Sequence, residues 1–332
     1  MRTASFALLG ALALSGCGAI APTSTVAPDA EAPAASSARL STTGNHVCFI
    51  DGSSVLRCFG DDAVGQLGRG PGGGRSDAPV VVRPDMRWRS VSAGIVATCA
   101  IAVDRSLWCW GGKATMGVLD GTAEDRMTPA RIGSAADWDS ISVGWSAVCG
   151  RHTGGKLDCF LARGLETVDG GPGFAEVSAS FYEVVALDNL GQTYLVDLKA
   201  KFPSLGYAPD APEFTHVHQP VFGVTGLDAH GHVLRWTQSL AVESSQDGTS
   251  FVAIDGAYDV VATASDGAVW IHSDQHSAIP SPLRLRRLDA QGTGWSEVHE
   301  NATGEVCGFR HDRVACFHVD PAGKVGPVRE IP

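Results

Sequence analysis

The sequence of 332 residues contains little charge, few lysines and no long hydrophobic segment after its first 17 residues. Charged residues make up only 18% of the chain, and the formal net charge is −11. Because binding to phosphates requires clustered Lys and Arg, this balance argues against a nucleic-acid partner. Helical periodicity is also absent after residue 17, which favours an all-β fold.

Catalytic signatures are missing as well. The motif Gly-x-Ser-x-Gly does not occur, and no spacing of Ser, His and Asp indicates a nucleophilic triad. His216, His218, His230 and His232 fall within one stretch with Asp228, and these residue types can bind a metal. No three-ligand spacing supports such a site, so we interpret these histidines as scattered surface residues. We therefore expect no enzyme activity, no cofactor and no bound metal.

The N-terminus has the pattern of an export signal. Arg2 precedes the apolar run 4–14, which is too short to span a bilayer and suits a signal-peptide core. The sequence Leu14-Ser15-Gly16-Cys17 resembles the bacterial lipobox, which implies cleavage before Cys17 and a lipid on its thiol. An ordinary secretory signal is the alternative.

These features predict three segments. Residues 1–16 form a lipoprotein signal peptide, and residues 17–38 form a lipidated Cys17 with a disordered tether rich in Ala, Pro, Ser and Thr. Residues 39–332 form the folded domain. The resemblance to lipoproteins, with Gly rather than Asp after Cys17, implies a protein of the cell envelope. It would be anchored through that lipid, with the outer membrane favoured and either its periplasmic or its surface face possible.

The remaining cysteines form four close pairs. In an exported chain such pairs indicate disulfides, whereas zinc knuckles place their thiols two to four residues apart. Residues ten apart can face each other across a hairpin with a three-residue loop, and the last, shorter pair requires a two-residue turn at His311-Asp312. The predicted bonds are Cys48–Cys58, Cys99–Cys109, Cys149–Cys159 and Cys307–Cys316.

A phrase that begins with an aromatic residue recurs along the chain. Two further apolar runs, separated by a turn with Gly or Asp, follow each copy, which is a strand pattern. The copies begin at Trp88, Trp138, Phe174, Phe214, Phe251 and Trp295, and Leu40 marks a first repeat without the aromatic. Seven repeats of this length predict a seven-bladed β-propeller. Strands from both ends of the chain, at 39–41 and 327–331, would close the ring.

Residues 58–70, CFGDDAVGQLGRG, resemble the signature of the regulator of chromosome condensation repeat family. The matching residues are Phe59, Gly60, Asp61, Gly65, Gln66, Leu67 and Gly68, with a second, weaker copy at Trp110-Gly111 and Met116-Gly117. This resemblance implies a seven-bladed propeller, in a version similar to secreted, disulfide-stapled bacterial proteins. The nuclear member's nucleotide exchange and chromatin binding are not carried over, because an export signal and acidity oppose them.

Aromatic residues also occur just after the phrase in four successive repeats. They are Trp145, Phe181, Tyr182, Phe222 and Tyr258. Equivalent positions of a propeller lie at one end of the ring, so we predict an exposed aromatic patch that recognises a partner. The alternative is that these side chains point inward and fill the channel wall.

The sequence thus favours a monomeric, lipid-anchored propeller that binds a protein, a peptide or a glycan. The alternative function is that of a secreted hydrolase or lyase with an active site on a propeller face. Such an enzyme would need ionisable groups in the central opening, for example His218 with Asp or Glu from neighbouring blades.

Overall fold

The computed structural model describes residues 39–332 apart from 122–123, 146, 162–163, 169–172, 180–182, 198–203, 209, 219–223, 237–241, 246–247, 257–258, 273–282, 289–291 and 321–323. The predicted lipidation site Cys17 and the tether therefore lie outside the described residues. In the described part of the chain, no helix has the length and hydrophobicity that crossing a membrane requires.

Alternating apolar and polar residues, interrupted by turns, produce seven four-stranded antiparallel sheets, each from one continuous stretch of sequence. The first three blades contain β1 (Leu40–Ser41), β2 (His46–Ile50), β3 (Leu56–Gly60) and β4 (Ser76–Val81); β5 (Trp88–Ala93), β6 (Ala97–Ala102), β7 (Leu107–Gly111) and β8 (Arg126–Arg131); and β9 (Trp138–Val143), β10 (Val148–His152), β11 (Leu157–Leu161) and β12 (Gly164–Thr167). Blades 4 and 5 contain β13 (Phe174–Ala179), β14 (Val184–Asp188), β15 (Thr193–Asp197) and β16 (Ser204–Tyr207); and β17 (His216–His218), β18 (Val224–Leu227), β19 (Val233–Trp236) and β20 (Val242–Ser244). Blades 6 and 7 contain β21 (Phe251–Asp255), β22 (Val260–Ala264), β23 (Val269–His272) and β24 (Arg286–Arg287); and β25 (Trp295–Glu300), β26 (Glu305–Arg310), β27 (Arg313–His318) and β28 (Arg329–Glu330).

The blades form a closed ring, which confirms the predicted seven-bladed propeller. The first strands of successive blades contact one another around the whole ring, and β1 also contacts β25, so the first strand of each blade is innermost. Seven hydrophobic clusters fill the spaces between neighbouring blades, one for each interface. The core of this protein is therefore distributed between the sheets.

Closure takes place between two complete sheets. Strand β1 belongs wholly to the first sheet and β28 wholly to the last. Leu40 and Phe49 of blade 1 share one hydrophobic cluster with Phe309 of blade 7. The backbone nitrogen of Ala302 also donates a hydrogen bond of 3.0 Å to the carbonyl of Thr43. Blades 7 and 1 thus close the ring by packing and hydrogen bonding, and the N- and C-terminal strands do not share a sheet.

The aromatic residue of each phrase belongs to the core between its own blade and the preceding one. Trp138 is 2% exposed and lies against the second strand at Gly150, where an added Cβ would be 2.6 Å from the indole ring. At the equivalent Gly226, an added Cβ would be 2.1 Å from the ring of Phe214. Blade 1 has no such aromatic, and Phe49 stands at the place of the small residue. The first repeat therefore fills its core from the opposite strand.

Four disulfides join the second and third strands of blades 1, 2, 3 and 7, which agrees with the predicted disulfide framework. Each bonded pair lies directly opposite in the strand register, with Cα atoms 4.1 Å apart, where cross-strand side chains are close. Ser54, with φ of 60°, ends the first three-residue loop, and His311 and Asp312, with φ of 50° and 62°, form the last two-residue turn. Such disulfides are typical of an oxidising compartment outside the cytoplasm.

Within the residues that the structure describes, one helix interrupts the β structure. Helix α1 (Lys113–Asp120) follows β7 at the position of the second, weaker signature copy. The carboxylate of Asp125 accepts a hydrogen bond of 2.7 Å from the backbone nitrogen of Lys113, which satisfies a donor at the first turn. The sequence did not predict this helix, because eight residues are too few for an apolar period to be recognised.

Candidate functional site

The predicted aromatic patch is represented by one described residue. Trp145 lies in the connection between β9 and β10, and 47% of its surface is exposed. It is not among the residues that line the central cavity. Phe181, Tyr182, Phe222 and Tyr258 lie outside the described residues. The continuity of the patch therefore stays a prediction.

A small cavity of about 190 Å³ occupies the centre of the ring. Every blade contributes at least one polar residue from its innermost strand to the wall of this cavity, and one such residue in each blade lies at an equivalent position. We call these seven residues the channel belt: Ser41, Ser92, Ser142, Ser178, His218, Asp255 and His299. The sequence alone did not identify this set.

The belt residues occupy one structurally equivalent position. In every blade the belt residue is paired with the first cysteine of the second strand, or with the residue that replaces it. The pairs are Ser41 with Cys48, Ser92 with Cys99, Ser142 with Cys149, Ser178 with Val185, His218 with Thr225, Asp255 with Val261 and His299 with Cys307. The seven belt residues therefore lie at the same height along the ring axis. They are near the C-terminal end of each innermost strand, from which the chain continues to the second strand.

Hydroxyl groups form one arc of the belt, in blades 1 to 4. The Oγ atom of Ser41 accepts a hydrogen bond of 2.9 Å from the backbone nitrogen of Ala93 in the next blade. Ser92 accepts one of 3.1 Å from Val143, and Ser142 accepts one of 2.9 Å from Ala179, both again in the following blade. These three serines thus bond blade 1 to blade 2, blade 2 to blade 3, and blade 3 to blade 4.

Ionisable groups form the other arc, in blades 5 to 7. Oδ2 of Asp255 lies 2.9 Å from Nδ1 of His299 and 3.7 Å from Nδ1 of His218. The backbone nitrogen of Gly256 donates a hydrogen bond of 2.7 Å to Oδ1 of Asp255, and Nε2 of His218 donates to the carbonyl of Gly256. Burial raises the pKa of Asp255, but the two histidines more than offset this and hold it below its usual range. For His299 the two effects have the opposite signs. Burial lowers its pKa, but the Asp255 carboxylate more than offsets this, so the pKa of His299 lies above its ordinary value.

A second charged pair lies two residues before the belt. Oε2 of Glu176 accepts a hydrogen bond of 3.1 Å from the backbone nitrogen of Val217 and lies 3.5 Å from Nδ1 of His216. The hydrogen bond with Glu176 raises the pKa of His216, against an opposing effect of burial. At the closing interface, Glu297 accepts a hydrogen bond of 2.9 Å from the backbone nitrogen of Arg39. Carboxylates therefore bond blade 4 to blade 5, and blade 7 to blade 1.

The four histidines of blade 5 do not form one cluster. His216 and His218 lie on the innermost strand, whereas His230 and His232 lie in the hairpin turn between β18 and β19. Sequence reasoning associated His218 with a carboxylate from a neighbouring blade, and Asp255 is that carboxylate. Sequence reasoning did not identify His299. A signal was available, because from blade 2 onward the fifth residue of each aromatic phrase is the belt residue.

The belt can recognise a polar group but lacks the geometry of an activated serine. Ser41 follows Asp255 and His299 around the ring, yet within the described residues no hydrogen bond joins it to His299. Its Oγ instead accepts from Ala93. The cavity is smaller than the roughly 300–1,000 Å³ typical of sites for drug-sized ligands. Its volume suits a group of the size of a side chain.

Comparisons with known proteins agree with the fold and leave the family open. No protein-family model and no curated protein sequence matches the chain at a significant level. Solved propeller structures resemble it with low sequence identity, which supports similarity of fold alone.

Three of these structures illustrate the similarity. Human WBSCR16 matches with a TM-score of 0.65 and 11% identity, over 79% of this chain and 83% of that one. Prp20p from Saccharomyces cerevisiae, described with its binding to Gsp1p and histones, matches with a TM-score of 0.63 and 11% identity, over 78% of each chain. The CRINKLY WD40 ectodomain of the Arabidopsis thaliana receptor kinase ACR4 matches with a TM-score of 0.61 and 15% identity, over 90% and 98%.

Proposed function

We propose that this chain is a lipid-anchored, non-enzymatic binding protein of the bacterial cell envelope. Its partner would be a protein or peptide bound at the ring end that carries Trp145. The channel belt is the observation on which the proposal rests, because seven equivalent polar residues surround one recess. A rigid ring of blades that presents such a recess is suited to recognition.

The same end of the ring offers both polar and apolar contacts. The cavity is also lined by Thr42 and Thr43, in the connection that leads from the first to the second strand of blade 1. Trp145 occupies the corresponding connection of blade 3. A partner could therefore place a polar side chain in the recess while an apolar group packs on the indole. Prp20p, whose described partners are proteins, supports a protein partner by its similar fold.

Capture from envelope extracts with immobilised protein tests this proposal. We expect Trp145→Ala and Asp255→Asn each to reduce capture by a factor of about ten or more, because aromatic and buried polar hot spots contribute about 2 kcal/mol. Leu190→Ala is the matched control, because Leu190 is 75% exposed in the turn at the opposite end of blade 4. It should retain full capture.

Thermal unfolding separates a binding role from a packing role. The Trp145→Ala variant should change the stability by no more than about 0.5 kcal/mol, as expected for an exposed side chain. Capture that is lost equally in Leu190→Ala, or a large loss of stability in Trp145→Ala, would contradict the proposal. Capture that glycan competitors abolish would identify a glycan as the partner.

The alternative function, a secreted hydrolase or lyase, is the weaker proposal. The contact between Asp255 and His299 supports it, because a carboxylate that orients an imidazole is one part of a general base. The engagement of Ser41 with Ala93 opposes it. Turnover of ester or glycoside substrates that disappears in His299→Gln would establish this alternative.

A further inference from the structure

The hairpin turn of blade 5 gathers a carboxylate and two imidazoles. The turn comprises residues 228–232, Asp-Ala-His-Gly-His, between β18 and β19. Oδ1 of Asp228 accepts hydrogen bonds of 2.8 Å and 2.9 Å from the backbone nitrogens of His230 and His232. These bonds fix the carboxylate and leave Oδ2 facing the two rings. Nδ1 of His232 lies 2.9 Å from Oδ2, and Nδ1 of His230 lies 3.9 Å from it.

Each of these three residues offers one ligand atom, and the three atoms lie within 4.8 Å of one another. Tetrahedral zinc with bonds of about 2.0–2.2 Å places neighbouring ligand atoms about 3.3 Å apart. The distances of 2.9 Å and 3.9 Å from Oδ2 of Asp228 to the two imidazole nitrogens lie on either side of this value. Small side-chain rotations would therefore bring the ligand atoms to the separation that zinc requires. The two rings stack with centroids 5.8 Å apart, and 79% of the His230 side chain is exposed. The remaining coordination positions would face water.

Blade 4 shows that the two histidines are not needed for the turn itself. There Oδ1 of Asp188 accepts hydrogen bonds of 2.8 Å and 2.9 Å from the backbone nitrogens of Leu190 and Gln192, with the same spacing. Its Oδ2 meets the hydroxyl of Tyr194 at 3.4 Å. Blade 5 thus repeats the same turn and adds two imidazoles around the second carboxylate oxygen.

We propose that the turn 228–232 binds a divalent transition-metal ion through Asp228, His230 and His232. Two imidazoles with one carboxylate favour zinc, copper or nickel over calcium and magnesium, which prefer sets of oxygen ligands. The backbone bonds to Asp228 act as outer-shell support. This site reverses the expectation from the sequence, in which the histidines had no common role. It lies at the opposite end of the ring from Trp145, so it is independent of the proposed function.

Another group of potential ligands carries no such site. Glu305 lies near Cys307 and Cys316, but both sulfurs are joined in a disulfide and cannot act as thiolates. The turn of blade 5 is therefore the stronger candidate within the described residues.

Zinc titration of the full-length protein in detergent, followed by calorimetry at pH 7.4, tests this site. We expect one zinc ion per chain. The double variant His230→Leu/His232→Gln should bind zinc about tenfold more weakly or worse, because two of the three ligands are lost. This variant recreates the turn of blade 4, so it should fold as the parent does. Its unfolding temperature without metal provides the check.

His311→Asn is the matched control, since His311 lies in the equivalent turn of blade 7 and Asn tolerates its positive φ of 50°. This variant should bind zinc like the parent. Absence of saturable binding at one equivalent in the parent, or unchanged zinc affinity in the folded double variant, would overturn the proposal. Loss of binding in His311→Asn would overturn it as well.

Discussion

The four disulfides should contribute equally to stability, even though two of them flank the closing interface. Each bond lies within one blade and closes a loop whose ends are separated by ten residues, or nine for Cys307–Cys316. The chain-entropy relation gives about 2.7 kcal/mol for a loop of ten residues and about 2.6 kcal/mol for one of nine at 25 °C. Replacing both cysteines of a pair by Ala also removes two buried sulfurs. That packing loss should be similar in each case, because all eight cysteines are at most 1% exposed.

Urea unfolding of the four double-alanine variants measures these contributions. We expect losses that agree among themselves to within about 0.5 kcal/mol, with Cys99→Ala/Cys109→Ala as the reference away from the closing interface. A loss more than about 1 kcal/mol larger for the pairs of blades 1 and 7 would refute the reasoning. It would mean that those bonds act on the closure of the ring and not on their own hairpins.

Three further predictions follow from the core, the belt and the N-terminus. Gly226→Ala should destabilise the protein by about 1–3 kcal/mol in urea unfolding, because its methyl group would meet Phe214 at 2.1 Å; an unchanged midpoint would contradict this. The stability difference between the parent and His299→Gln should be largest near pH 5.5 and decrease towards pH 9. The reason is that a raised histidine pKa stabilises the fold below the ordinary value of about 6.5, and this contribution is lost as pH rises through the raised value. The lowered pKa of Asp255 stabilises the fold at pH values above the ordinary pKa of an Asp side chain, and this contribution is lost only in stronger acid. A stability difference between parent and variant that does not change with pH would count against the Asp255–His299 pair. Cys17→Ser should move the protein from the membrane fraction to the soluble fraction and abolish labelling with palmitate; unchanged fractionation would exclude the lipid anchor.

The blade count and the strand register could be predicted because both depend on local spacing. The interval between the two cysteines of a pair predicts which residues face each other across the second and third strands. The predicted three-residue loop, which ends at Ser54 in blade 1, and the predicted turn at His311-Asp312 have the expected lengths for the same reason. Phe49 shows where such reasoning becomes weaker, because the first repeat fills its core from a different strand.

The candidate site could not be predicted from the sequence, because its residues meet only in the folded ring. Asp255 and His299 are 44 positions apart in the sequence, and only the packing of blade 6 on blade 7 brings their side chains to 2.9 Å. The same limit applies to His230 and His232. Their spacing shows that they are neighbours, but the direction of the second oxygen of Asp228 is set by backbone hydrogen bonds in the turn.

The serine bonds of the belt give the ring a direction. Ser41, Ser92 and Ser142 each accept from the blade that follows and never, among the described contacts, from the blade that precedes. Loss of one hydroxyl would therefore leave an amide without its acceptor in the next repeat only. The two neighbours of a damaged blade in this arc would therefore not be affected alike, because the lost hydroxyl bonds only to the blade that follows.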